Sequence, residues 1–232
     1  MKLAIMQPYF LPYIGYFQLI AAADVFVVYD NIKYTKKGWI NRNRFLLNGA
    51  DAMFSLPLKK DSDFLDIRDR ELAEDFRRDK LLNQLQGAYR RAPHFPQTES
   101  LLREIVLHED RNLFGFIHNS IVRICRHIGI ETKILVSSTV SIDHSLRSQD
   151  KVIALCKKLA ANTYINPIGG TDLYSKDDFR SRDVELQFVR SKPFEYLQFG
   201  EAFVPWLSIL DVLMFNPLDR VREGVYNNFE LI

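Results

Sequence analysis

Short apolar runs alternate along this chain with stretches of helical period. Residues 2–6 form an apolar run that stops at Gln7-Pro8, the pattern of a buried strand. Residues 13–23 place Tyr16, Ile20 and Ala23 on one helical face with Phe17 and Ala21 beside it, and Pro12 suits the first turn. A second buried strand, 25–29, ends in Asp30. Residues 38–48 and 52–58 read as a hairpin turning at Asn48-Gly49. The charge-dense stretch 60–79 reads as a loop and a solvated helix. Helical patterns follow over 80–91, 97–108 and 110–128, the first stopped by Pro93 and the last closed by Gly129. Further strands are expected at 132–136, 163–165 and 184–188, with helices at 149–161, capped by Ser148, and at 205–215.

This alternation predicts an α/β fold with a mostly parallel, Rossmann-like sheet and helices on both faces. Residues 1–232 then form a single domain, with 60–128 as a helical insertion.

Composition narrows the function classes. A hydrophobic share of 47% with 26% charged residues is that of a globular chain, and a net charge of +2 supplies no global field toward nucleic acid or a membrane. Cys125 and Cys156 fall in apolar helix patterns and read as buried thiols, which fits a reducing compartment. The apolar run at the start is too short for a signal peptide or a membrane span. A cytoplasmic protein is expected. The five histidines show no metal-ligand spacing, so no metal site is expected. Gly-Lys-Ser, Gly-x-Gly-x-x-Gly and Gly-x-Ser-x-Gly motifs are all missing, which argues against P-loop, dinucleotide and serine-hydrolase chemistry.

Three segments carry candidate chemistry. The first is Gln7-Pro8-Tyr9-Phe10-Leu11-Pro12-Tyr13-Ile14-Gly15-Tyr16, a turn from strand to helix. A helix N-terminus there favours an anion such as phosphate, and Gly15 permits close approach. Its spacing resembles the His-x-Gly-His signature of adenylyl-transferring enzymes on nucleotide-binding α/β folds. Tyr13 and Tyr16 stand where those histidines would be, so the imidazole chemistry is lost. The second segment runs from Lys33 to Arg44. Trp39 among Asn41, Arg42, Asn43 and Arg44 combines a stacking surface with planar bidentate donors for phosphate, carboxylate or a sugar nucleotide. Alternation would put Arg42 and Arg44 on one strand face and Trp39 on the other. The third is Asn166-Pro167-Ile168-Gly169-Gly170 with Tyr174, a glycine loop after a strand.

The chain resembles the WbqC-like protein family over nearly its whole length. The residues that carry the likeness are Met6 to Phe17, Asp24, Tyr29-Asp30, Gly38-Trp39 and Asn41 to Arg44. Tyr89, Ala92-Pro93, Ser137-Ser138, Tyr164, Asn166, Gly169-Gly170, Tyr174, Phe203-Val204-Pro205 and Leu207 to Asp211 continue it. The resemblance implies a bacterial protein associated with O-antigen, lipopolysaccharide and other surface-glycan genes. It implies a transferase that moves an acyl or aminoacyl group to an amino-sugar nucleotide.

On this reading the substrate is a phosphorylated small molecule, and a nucleotide-linked or acyl donor would serve as co-substrate. Asp30 is the candidate acid–base group. Gln7, Tyr9, Tyr13, Gly15, Tyr16, Lys36, Trp39, Asn41, Arg42, Asn43, Arg44, Asn166, Gly169, Gly170 and Tyr174 are the candidate binding residues. The alternative is a protein that binds a sugar nucleotide or glycan intermediate in the same pocket without turning it over.

Overall fold

The structure, a computed structural model, describes residues 1–200 and 202–232. Its centre is β1 (Lys2–Met6), which pairs in parallel with β2 (Val25–Val28) on one side and β6 (Thr163–Pro167) on the other. Outside β2 lies β5 (Lys133–Val136); outside β6 lies β7 (Glu185–Ser191). A last short strand, β8 (Phe229–Leu231), joins β7 antiparallel and completes the order β5-β2-β1-β6-β7-β8. The fold is α/β with a mostly parallel six-stranded sheet. Chain order reverses between β1 and β6, and in such sheets ligands bind outside the carboxyl ends of the strands near that reversal.

Side chains alternate across a strand, so each central strand feeds two apolar layers. Ala4, Phe26 and Val28 face α1 (Ile14–Ala21) and α8 (Leu218–Asn227). Leu3, Ile5, Val25 and Val27 face Val152, Leu155 and Cys156 of α5 (Ser148–Lys158). Helices therefore cover both faces. The helices α2 (Arg78–Tyr89), α3 (Phe95–Val106) and α4 (Leu113–Ile128) contribute to the same apolar core as α1. A two-stranded sheet, β3 (Arg42–Leu47) with β4 (Ala50–Ser55), stands apart from the main one. Asn48 and Gly49 both have positive φ at its turn, 52° and 80°, as a tight hairpin requires. Gly129 closes α4 in the left-handed conformation at φ 87°.

The differences from the sequence reading have local causes. No helix forms within 60–77; the charged residues there sit in loop with a single 3-10 turn at Ile67–Asp69. Ser148 does not cap α5: it lies inside the first turn, and no side chain caps that end. The helix expected at 205–215 begins only at Ile209, as α7 (Ile209–Phe215), with Ser208 accepting from Leu210 N. Trp206 just before it has φ 61°, which a helix cannot contain. The sequence reading did not name α6 (Lys176–Arg180), α8 or β8; α8 buries Val221, Gly224 and Val225 at helical spacing, while α6 and β8 are too short to show a period, and β8 makes the sheet mixed at its edge.

Candidate functional site

The turn after β1 is fixed from three sides. Phe10 N donates to Ile40 O at 2.9 Å, and the Asn43 amide donates to Leu11 O at 2.9 Å and to Phe10 O at 3.3 Å. Ser208 Oγ also donates to Leu11 O, at 2.7 Å, and Leu11 itself has φ 47°. These bonds hold a backbone bend that an unsupported leucine avoids. Tyr13 then folds back over the first turn of α1. A Cβ on Gly15 would lie 2.3 Å from the Tyr13 ring, so only glycine permits that packing.

Two adjoining cavities open against this turn. One, of about 240 Å³, is lined by Tyr9, Pro12, Tyr13, Trp39, Asn43, Arg44 and Trp206. The other, of about 470 Å³, shares Tyr13 and Trp206 and continues along Ile14, Phe194, Tyr196, Phe203 and Val212. Arg44 is the cation of the smaller pocket. Its guanidinium lies 5.5 Å from the centre of the Trp39 ring. Its Nη1 reaches Asp51 at 3.4 Å and its Nη2 reaches Trp206 O at 3.5 Å, both long. Its buried Nε has no hydrogen-bond partner among the described residues. Burial pushes the Tyr9 phenol up to about 12, with Tyr13 beside it adding to the effect, and burial also raises Tyr13. Both phenols therefore stand as neutral hydrogen-bond donors at ordinary pH.

Other expected binding residues make bonds within the chain. Tyr16 is 3% exposed and donates to Gln7 O at 2.9 Å, so it is a core residue and does not line the pocket. Asn41 accepts from Tyr34 OH at 2.8 Å and donates to Leu56 O at 2.8 Å. Arg42 Nε donates to Gly38 O at 2.9 Å. Lys36 forms an exposed ion pair with Asp63 at 2.7 Å. Trp39 was expected opposite Arg44, but it precedes β3 in a bend, outside strand alternation, and turns onto the arginine.

Gln7, Asp30, Asn166, Gly169, Gly170 and Tyr174 gather at the carboxyl edge of the main sheet. Met6 pairs with Val28, and Tyr29 N donates to Met6 O at 2.8 Å, so Gln7 lies beside the Asp30 strand end. Tyr9 OH donates to Gln7 Oε1 at 3.3 Å and so links that edge to the Arg44 pocket. Asp30 is 2% exposed; its carboxylate accepts from Ser138 N at 2.9 Å and Ser138 Oγ at 2.6 Å. Neighbouring Asn31 bonds His144 Nδ1 at 2.9 Å, accepts from Ser137 Oγ, and takes Lys151 Nζ on its carbonyl at 3.2 Å. Lys151 is buried over the Tyr29 ring, and desolvation lowers its pKa against the pull of Asp66 and Asp30. Asn166 crowds Gly170, where a Cβ would sit 2.0 Å from the amide nitrogen. Gly169 is exposed, and Tyr174 packs edge-on against Tyr164 and Phe179.

Sequence reasoning missed Trp206, Phe194, Tyr196, Phe203 and Lys151. The signal available for the first four was aromatic density: Phe194, Tyr196, Phe199, Phe203 and Trp206 crowd a stretch with no strand or helix period. Lys151 looked like one more polar position of an amphipathic helix. Among the described residues no group of three potential metal ligands occurs, and no helix is long and apolar enough to cross a membrane.

Comparison with known proteins bears on the family of the chain. An uncharacterised protein of Mycobacterium tuberculosis is 28% identical over 220 residues, covering 93% of either chain. No solved structure matches. The sequence profile of one family spans residues 7–223, from the turn after β1 into α8, and so takes in both cavities and the sheet edge. The chain belongs to the WbqC-like protein family.

Proposed function

We propose that this protein is a transferase of bacterial surface-polysaccharide synthesis that binds a nucleotide-linked amino sugar in the Arg44 pocket and receives an acyl or aminoacyl group onto its amine. One observation carries the reading. Arg44 presents a buried Nε without a partner among the described residues, and two weakly engaged nitrogens, inside a pocket walled by Tyr9, Tyr13, Trp39 and Trp206. Aromatic faces suit a base or sugar ring, and a guanidinium with open donors suits phosphate.

The chemistry runs as follows. The amine nitrogen attacks the donor's carbonyl carbon, the bond to the donor's leaving group breaks, and an amide forms. The amine loses one proton. Asp30 takes that proton through the Ser138 hydroxyl, which already donates to its carboxylate at 2.6 Å. The Tyr9–Gln7 bond connects the sugar pocket to this edge.

A second reading, binding without turnover, has its own support: among the described residues no carboxylate, imidazole or thiol lines the smaller pocket. The experiment that separates them incubates the protein with a nucleoside-diphosphate amino sugar and an acyl thioester. The transferase forms amide product, and Asp30→Asn lowers its turnover by about 10²–10⁴-fold with binding kept. A binding protein raises its melting temperature with the sugar nucleotide and forms nothing.

A further inference from the structure

We infer that the larger cavity beside the Arg44 pocket is the subsite for an apolar acyl or alkyl group, carried by the same ligand whose phosphorylated end rests on Arg44. The inference depends on the phosphate reading of Arg44 for its head group and on the cavity alone for its tail. The cavity measures about 470 Å³, within the usual span of small-molecule clefts of about 300–1,000 Å³. Ile14, Phe194, Phe203 and Val212 give it apolar walls, and its polar side chains are Lys192, Glu195 and the hydroxyls of Tyr13, Ser191 and Tyr196, the last bonded to Asp211 at 2.6 Å. Of these, the Ser191 hydroxyl is spent on Gln18 Oε1 at 2.6 Å. Most of the lining among the described residues is apolar, so an apolar group there would lose water against Ile14, Phe194, Phe203 and Val212.

Trp206 joins this cavity to its neighbour. It lines both, stands edge-on to Tyr13 with centroids 5.9 Å apart, and gives its carbonyl to Arg44. The residue is 62% exposed at φ 61°, a conformation that bulky side chains rarely hold. Strained backbone that turns a large apolar ring into solvent between two cavities is a feature found at ligand sites. A head group on Arg44 with a tail past Trp206 would cover that ring from both sides.

The test is a series of n-alkyl phosphates, from ethyl to decyl, titrated by calorimetry beside inorganic phosphate. Affinity should climb about fourfold per methylene, the value of one buried CH₂, and level off once the cavity is full. Phe203→Ala and Phe194→Ala should flatten the climb and leave inorganic phosphate binding unchanged, with folding checked by circular dichroism. Arg44→Ala should weaken every member by one common factor without altering the slope. Absence of a climb in the unmodified protein overturns the subsite even if phosphate binds Arg44. A climb that Arg44→Ala leaves untouched keeps the subsite and removes the phosphate reading. A climb without a plateau, together with sedimentation on phosphatidylglycerol vesicles, means a lipid surface and overturns the subsite.

Discussion

The Arg44 pocket, set between the turn after β1 and the β3–β4 hairpin, and the Asp30 turn after β2 both gather polar groups, yet they differ in what is left over. At Asp30 the carboxylate has two donors from Ser138, and Asn31 engages Ser137, His144 and Lys151. At Arg44 one nitrogen has no partner among the described residues and the other two make bonds of 3.4 and 3.5 Å, while Trp39 and Trp206 stand 41% and 62% exposed. A polar group whose bonds are all made inside the chain stabilises the fold. One left open in a cavity costs stability until a ligand arrives. The comparison separates residues that build the site from residues that wait for its occupant.

The largest effect should come from the closed side. Asp30→Ala strands Ser138 N and Oγ in a region where Asp30 itself is 2% exposed. We expect a loss of about 2–4 kcal/mol, the cost of removing a buried charged acceptor from two half-buried donors. Urea unfolding measures it. A loss under about 0.5 kcal/mol, the range of ordinary surface changes, would show that the turn does not depend on the carboxylate and that the contrast is mistaken.

The open side should respond in binding. Arg44→Ala should weaken a nucleoside-diphosphate sugar by about 1.5–3 kcal/mol, the worth of hydrogen bonds to a charged group, with stability changed by less than about 0.5 kcal/mol. Trp39→Ala comes next. It removes one face of the pocket and the ring under Arg44, for about 0.5–1.5 kcal/mol of binding. Calorimetric titration of both variants gives the ranking. If Trp39→Ala costs more than Arg44→Ala, the ligand is held by its ring and the anion is secondary.

The sequence made one part of this legible and hid another. β1, β2, β5, β6 and β7 were readable because central parallel strands are apolar on both faces and end at polar turns. The hairpin was readable from Asn48-Gly49. β8 was not, since Phe229–Leu231 is three residues long with Glu230 at its centre, too short for a strand pattern. At the site, the turn after β1 and the Trp39–Arg44 segment announced themselves by chemistry. Their division of labour did not. Asn41, Asn43 and Arg44 look alike as polar residues of one strand approach, and only the fold shows that the two asparagines hold backbone while Arg44 stays open. Trp206 escaped because a positive φ leaves no mark in a hydropathy pattern.

The smallest effect concerns acid, and it tests the charge on the closed side. His118, on α4, has its pKa lowered from 6.5 by burial, with the Asp30 carboxylate pulling the other way. His127 is lowered by burial and by Arg222. In both, the folded chain binds its proton less readily than the unfolded chain. Stability from this source is therefore full above 6.5 and is lost as pH falls through the folded values. The melting temperature should drop between about pH 7 and about pH 5, and His127→Gln should reduce the drop. Asp30→Asn removes the charge that supports protonated His118, so the shift on that imidazole grows and the acid decline steepens. His118→Gln placed on Asp30→Asn should return the decline to the unmodified slope or below it. If Asp30→Asn leaves the slope unchanged, the carboxylate does not act on His118. Asp30 would then hold its turn through the bonds to Ser138 alone, and its charge would have no reach beyond them.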